Sequence, residues 1–372
     1  MKYFVVAGEA SGDLHASNLA EGIRLHDKEA VFEAWGGDLM ANKGITIHKH
    51  IRELAFMGFT EVLANIRTIF RNIALVKEQI VQFSPDALIL VDYPGFNMRI
   101  AKWAHQQDIK VYYYISPNVW AWKSGRVHHF EKYCEKLFVI LPFEKDFYKK
   151  FNIDVEYEGH PLIDAIEGFR ENKSSIVNIE QTDNRPVIAL LAESRKQEIK
   201  RMLPIMLKLP DYFPDYRFIV AGAPAIDQSY YDSFLKGSKV GLVMNQTYAL
   251  LSQATAGVIV SGTATLETAI FGVPQVVGYR AGLISALIAG AVMKVKYISL
   301  PNLILNKKAV TELLQYQFSE KRLVEELQRI LPQKPAREEM LADYAKLHEM
   351  LGQRGASVRV GEKIVVMLKN EV

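Results

Sequence analysis

Short apolar runs alternate with helix-length amphipathic stretches along the whole chain. Tyr3–Ala7, Ala87–Val91, Val111–Ile115 and Leu137–Leu141 form a first series of expected strands. Val187–Ala192, Arg217–Ala221, Ala256–Val260 and Gln275–Val277 form a second. The runs are continuously apolar, which suits strands buried on both faces in parallel sheets covered by helices. The clearest helical stretch runs from Thr60, with Val62, Leu63, Ile66, Ile69, Phe70, Ile73, Val76, Ile80 and Phe83 three and four residues apart. That spacing predicts one apolar stripe along a long amphipathic helix.

The two series are separated by a polar stretch over 168–186, which holds Glu171, Asn172, Lys173, Ser174, Ser175, Gln181, Thr182, Asp183 and Asn184. Residues 1–167 are therefore expected to form one α/β domain, 168–186 a linker and 187–306 a second α/β domain. From 307 to 372 the chain reads as helical and charged, without strand signals, and is expected to pack across domains or onto a partner subunit. A length of 372 residues exceeds what one ordinary core fills and agrees with two domains.

Composition narrows the function classes. Hydrophobic residues make up 49% and charged residues 23%, the balance of a folded chain. A net charge of +3 permits attraction to anionic lipid or nucleotide. No basic block alternates with aromatics as a nucleic-acid groove requires, so no nucleic-acid partner is expected. Cys134 is the single cysteine, which excludes an intrachain disulfide and a thiolate metal cluster. The N-terminal MKYFVVAGEASGD has too short an apolar run for a signal peptide and reads as a first strand. The longest apolar stretch, Gly282 to Val292, falls short of the about 20 residues of a membrane span. A cytoplasmic protein is expected.

The segment Ala256 to Ala269, AGVIVSGTATLETA, carries the sharpest chemistry. A strand ends at Val260, Ser261-Gly262 turns the chain, and a helix begins near Thr263. Unpaired amides at a helix N-terminus and the helix dipole favour a diphosphate there. Glu267, one turn in, is placed to accept hydrogen bonds from ribose hydroxyls; a plain Thr-capped helix is the alternative. Gly278-Tyr279-Arg280, after the next strand, brings a cation to the same sheet edge. The loop after Val187–Ala192 adds Ser194 and Arg195, the latter suited to a diphosphate or to a surface ion pair.

In the first half, Gly8-Glu9-Ala10-Ser11-Gly12-Asp13 is a small-residue turn that lets a ligand approach the backbone. It is not the dinucleotide GxGxxG pattern. Asp92 stands at the tip of a strand before Pro94-Gly95, with Asn97 following, and suits either a general base or a turn cap. Trp120 lies in an aromatic segment at another strand end. His128 and His129 are adjacent and lack a third ligand, so no metal site is expected. The apolar loop Leu54–Phe59, with Met57 and Phe59, has Arg52, Arg67, Arg71 and Lys77 near it, which suits a lipid substrate, a membrane surface or ordinary core.

Taken together these segments resemble the lipid-A-disaccharide synthase family. The resemblance is carried by GEASGD (8–13), FMGFTEV (56–62), VDYPGFN (91–97), YISPNVWAW (114–122), LPFEK (141–145) and Gly159-His160. It continues through SGTATLE (261–267), VGYR (277–280) and SLPNL (299–303), in family order over nearly the whole chain. It implies a GT-B fold, two facing Rossmann-like domains with parallel sheets and a helical C-terminal tail. It also implies transfer of 2,3-diacylglucosamine from its UDP derivative to 2,3-diacylglucosamine 1-phosphate (lipid X), with a β-1,6 linkage, inversion and release of UDP. By the same resemblance Asp92 is the expected base, and Arg195, Ser261, Thr263, Glu267 and Asn302 line the UDP side. His160 stands at the cleft or caps it, no cofactor or metal is needed, and Leu54–Phe59 faces acyl chains or membrane. The implied setting is the inner face of the inner membrane, with a possible homodimer through the C-terminal region.

Two rivals remain at the level of sequence. One is another UDP-sugar enzyme of the same fold, such as a peptidoglycan-type N-acetylglucosaminyltransferase or a 2-epimerase. The other is a noncatalytic peripheral membrane protein that binds a nucleotide lipid. One departure from the family pattern is Glu193, where glycine usually precedes Ser-Arg. Its bulk and charge either turn outward or weaken donor binding. In the second case Glu193→Gly lowers the UDP dissociation constant in a calorimetric titration; an unchanged constant leaves the outward-turned side chain.

Overall fold

The structure, a computed structural model, describes residues 1–54, 66–122, 124–172, 184–192, 195–224, 226–280 and 296–370. The apolar runs become two all-parallel sheets. The first contains β1 (Lys2–Ala7), β2 (Val31–Gly36), β3 (Thr46–His50), β4 (Ala87–Val91), β5 (Val111–Tyr114), β6 (Lys136–Val139) and β7 (Glu156–Tyr157). Their spatial order is β3-β2-β1-β4-β5-β6-β7. The second contains β8 (Val187–Leu191), β9 (Arg217–Gly222), β10 (Gly241–Met244), β11 (Ala254–Val260), β12 (Gln275–Tyr279) and β13 (Thr311–Leu314), in the order β10-β9-β8-β11-β12-β13. These are two Rossmann-like sheets of the GT-B class, each flanked by helices.

Alternation along β1 explains how one continuous apolar run serves two layers. Phe4 and Val6 face Ile73, Val76 and Ile80 of the helix Ile66–Phe83. Tyr3, Val5 and Ala7 face Leu19 and Ile23 of the helix Ala10–His26, together with Val360, Ile364 and Leu368 of the helix Ala356–Lys369. Successive side chains point to opposite faces, so a strand covered on both sides needs apolar residues throughout. In the second sheet Val187, Ala189, Leu191 and Ile259 pack with Leu250 and Leu251 in the same way.

The chain divides into one unit of Met1–Ala165 with Leu351–Val372 and another of Ile166–Met350. The stretch expected to lack strands after Asn306 holds β13, which extends the second sheet beside β12. β3 (TIHKH) is rich in polar residues, β7, β10 and β13 (EY, GLVM, TELL) are short, and all four are edge strands. Less complete burial there removes the apolar run that marks a central strand. Among the described residues no helix is long and apolar enough to cross a membrane.

The last helix, Ala356–Lys369, returns to the first unit and lies against Ala10–His26. Two glycines permit that approach. A Cβ on Gly22 would stand 2.6 Å from the Ser357 carbonyl oxygen, and one on Gly361 would stand 2.6 Å from the Ile23 nitrogen. The Asp164 carboxylate accepts hydrogen bonds from Gly355 N (2.6 Å) and Ser357 N (2.9 Å) and so caps this helix. Backbone cannot yield as a flexible side chain can, so Gly361→Ala is expected to cost about 1–3 kcal/mol. Chemical denaturation should read that loss, and limited proteolysis should release the C-terminal helix earlier than in the wild type.

Candidate active site

Both sheets share one winding rule. The first strand of each sits between the second and the fourth, so the connections reverse direction between β1 and β4 and again between β8 and β11. The segments leaving those two strands part there, at the carboxyl ends where sheets of this winding generally receive ligands. Gly8 and Glu9 follow β1, and Asp92 and Tyr93 follow β4. Ser261 and Gly262 follow β11, and Arg195 stands four residues past the end of β8. Residues far apart in sequence thus meet at two switch points, one in each unit.

At the first switch point the backbone is forced. Asp92 (φ 45°), Tyr93 (φ 48°) and Ile115 (φ 66°) all lie in the left-handed region. Such residues cost about 1–3 kcal/mol each and persist only where the surroundings hold them. Asn97, fully buried, donates through Nδ2 to the carbonyls of Val6 (3.3 Å), Val91 (3.2 Å) and Asp92 (2.9 Å). Tyr113 Oη donates to the same Asp92 carbonyl at 2.6 Å. Gly8 lies flat against the Tyr93 ring, where a Cβ would come within 2.4 Å. Asn97 and Gly8 therefore hold the Asp92 turn by backbone bonds and close packing. Ser11 is exposed and Gly12 buried at the start of the first helix.

Burial pushes the half-buried Asp92 carboxyl up to about 7, and the negative charge of Glu9 adds to it; a hydrogen bond from the Tyr93 backbone opposes both. A third acid belongs to this group. Glu144, wholly buried in the helix Pro142–Lys149, accepts from Ile140 N (3.1 Å) and Leu141 N (2.8 Å). Burial pushes it to about 8 against those two amides, and the charge of Asp92 raises it further. Trp120 faces this carboxylate and lowers it, although neither Trp120 Nε1 nor Glu144 Oε1 closes a hydrogen bond. Trp120 also stands edge-on to Phe143 at 5.0 Å. In the sequence Glu144 stands only as part of the LPFEK motif, because nothing in spacing shows that its side chain is buried near Asp92.

His160 is buried, and its Nδ1 accepts from Leu162 N at 3.2 Å, so it caps the helix Pro161–Glu171. Burial, with His15 nearby, lowers it to about 3 and keeps it neutral. Asp13, at the end of GEASGD, accepts from Gly37 N, Leu39 N and Met40 N at 2.8, 3.0 and 3.2 Å, which gives that residue a structural role.

At the second switch point Gly262 has φ 150°, a conformation open essentially to glycine, and the helix Thr263–Ile270 starts directly after it. Gly262 and Thr263 are exposed. Glu267 accepts from Tyr248 Oη at 2.8 Å, and burial raises its carboxyl while that bond opposes the rise. Tyr248, braced edge-on by Phe169, is a second residue that spacing did not suggest. Ser261 N–H donates to Gly278 O at 2.9 Å, which sets this turn beside the half-buried Tyr279 and exposed Arg280. Arg195 is exposed, 3.6 Å from Glu198. The Asn302 amide is consumed by the fold: Oδ1 accepts from Ala309 N and Val310 N, and Nδ2 donates to Val310 O and Glu312. Met57, Phe59, Glu193 and Ser194 lie outside the described residues. No group of three or more His, Cys, Asp or Glu among the described residues is placed to hold a metal ion.

A family model described as lipid-A-disaccharide synthetase matches residues 3–359. The chain belongs to the lipid-A-disaccharide synthase family. It is 35% identical to the lipid-A-disaccharide synthase of Myxococcus xanthus over 373 residues, spanning 99% of this chain and 97% of that protein. Identity to the synthase of Syntrophus aciditrophicus is 34% over 372 residues, 98% of this chain and 97% of the relative. Among solved structures, UDP-GlcNAc 2-epimerase from Neisseria meningitidis aligns over 100% of both chains with a TM-score of 0.69 and 15% identity, which shows the fold alone. As a member of the synthase family the chain is an inverting, metal-independent GT-B glycosyltransferase. Its general reaction joins an acylated UDP-glucosamine to lipid X.

The Asp92 carboxyl has a folded pKa above its unfolded value of about 3.9. Its contribution to stability is thus present at low pH and lost as pH rises through about 7. Asp92→Asn should raise the melting temperature at pH 8, with no matching gain at pH 4, while lowering activity. In the wild type the acid limb of kcat/KM is expected near pH 7, and Glu9→Gln should move it to lower pH. A melting temperature lowered by Asp92→Asn at pH 8 would mark the carboxylate as a structural cap.

Proposed function

We propose that Asp92 is the general base that takes the proton from the 6-hydroxyl of 2,3-diacylglucosamine 1-phosphate. The acceptor O6 then attacks C1 of the UDP-linked 2,3-diacylglucosamine from the face opposite the leaving group. The C1–O bond to the diphosphate breaks, a β-1,6 bond forms, and UDP departs with the electron pair. The observation that carries this reading is the Asp92 carboxyl at the first switch point with a pKa pushed up to about 7. A general base works best when its pKa lies near the working pH.

On the donor side, the Gly262–Thr263 helix start, Arg195 and Arg280 supply donors and positive charge for a developing diphosphate, and Glu267 an acceptor for ribose hydroxyls. Such stabilisation replaces the metal ion that other sugar-nucleotide enzymes use. Gly8, Glu9, Ser11, Gly12 and Trp120 belong to the acceptor side of the reading, with Asn97 tying the ends of β1 and β4 and His160 capping the helix Pro161–Glu171. A peripheral seat on an anionic membrane at the cytoplasmic face is supported by Phe70, 59% exposed on the helix Ile66–Phe83 beside exposed Arg67 and Arg71.

The test is a product assay with defined acylated donor and acceptor, run beside a deacylated donor and with a chelator present. A β-1,6 disaccharide 1-phosphate formed from the acylated pair alone, undiminished by chelation, is the expected result. Asp92→Asn should lower kcat/KM by about 10²–10⁴-fold. Equal turnover of acylated and deacylated donor without a disaccharide would sink the assignment.

A further inference from the structure

Glu312 stands on β13, two strands from the β11 that leads into the Ser261 turn, and has no role in the chemistry above. Its carboxylate accepts from Ile298 N (3.1 Å), Ser299 N (2.9 Å), Ser299 Oγ (2.7 Å) and Asn302 Nδ2 (2.8 Å). All four donors lie within five consecutive residues at the start of the helix Leu300–Leu305. Capping that short helix would occupy one or two of those bonds, so the carboxylate does more than cap it. Asn302 ties the other end of the same segment to Ala309 and Val310, the residues that lead into β13.

The gripped segment in turn touches the donor turn at two points. Ser261 Oγ donates to Ile298 O at 3.1 Å, and Thr265 Oγ1 accepts from Leu300 N at 3.3 Å. Thr265 Oγ1 also donates to Gly262 O at 2.8 Å, the carbonyl that begins the helix Thr263–Ile270. A continuous chain of hydrogen bonds therefore runs from Glu312 through residues 298–300 to both sides of Gly262. Gly262 has the most permissive backbone at this turn, and a phosphate held by amides there needs those amides fixed to a few tenths of an ångström.

We propose that Glu312 is a positioning residue of the donor site: it clamps residues 298–302 so that Ser261 and Thr265 hold the Gly262–Thr263 helix start in the geometry that receives the UDP diphosphate, an inference that rests on the donor reading above. Glu312→Gln keeps the side-chain shape but replaces one accepting oxygen by a donor, which then faces the amides it should accept from. Ser299→Ala removes a single bond from the clamp and leaves the others.

UDP titration and steady-state kinetics on the full chain test this. Glu312→Gln should raise the UDP dissociation constant and donor KM about tenfold, and Ser299→Ala about threefold. In both variants acceptor KM should stay within about twofold of the wild type. A role confined to folding would lower the melting temperature without that split between donor and acceptor. Wild-type UDP affinity in folded Glu312→Gln overturns the proposal; should that variant not fold, wild-type affinity in Ser299→Ala overturns it. Glu267→Gln separates the two layers. If it leaves UDP binding unchanged, the donor reading itself fails; if it weakens binding while the Glu312 and Ser299 variants do not, only the clamp fails.

Discussion

Parallel strands cannot be joined by tight hairpins, so each must be followed by a crossover that returns the chain to the same end of the sheet, and those crossovers are right-handed. Winding outward from a central strand in one direction and then in the other leaves one place where successive crossovers part. Both sheets here obey that constraint, with β1 beside β4 and β8 beside β11 at the parting. The placement of the candidate site residues in the two units follows from it. The short segments leaving those four strands carry Gly8 and Glu9, Asp92, Arg195 and Ser261, and a ligand placed there meets loop backbone rather than packed side chains.

Holding reactive groups at such an edge works against stability. Two consecutive left-handed residues at Asp92 and Tyr93, and a β-branched one at Ile115, store backbone strain. A carboxylate taken out of water beside another acid is disfavoured in its charged form. The opposing terms are local and specific. Asn97 binds three carbonyls at the ends of β1 and β4, Tyr113 adds a fourth bond, and Gly8 leaves room for the Tyr93 ring. The second unit meets a milder version of the problem at Gly262, where glycine adopts the required backbone conformation without strain and a network rooted in Glu312 braces the turn.

Legibility in the sequence followed burial. Central strands such as Ala87–Val91 and Val187–Leu191 are covered on both faces, so their apolar runs announce them. β3, β7, β10 and β13 lack that cover or that length and went unread, and with β13 went the residue that organises the segment before it; the internal β2 also went unread, because Glu33 interrupts its apolar run. Gly8, Asp92, Ser261 and Gly262 were legible because turn chemistry and strand ends are local properties. Glu144 and Tyr248 were not, because each matters only through a side chain brought near Asp92 or Glu267 by packing. Asn302 shows the converse: its motif marks the position, whereas its four bonds within the fold show what the side chain does.

By itself, the order of apolar runs, turns and motifs determined two parallel α/β units, the family resemblance and the strand ends that carry the candidate site residues. These depend on neighbours within a few residues, and local sequence encodes them directly. Tertiary structure alone decided the upward shift of the Asp92 and Glu144 carboxyls, the neutral capping role of His160, the return of the last helix to the first unit through Gly22 and Gly361, and the clamp at Glu312. Each of these depends on desolvation or contact between residues distant along the chain, and those quantities do not exist until the chain has folded.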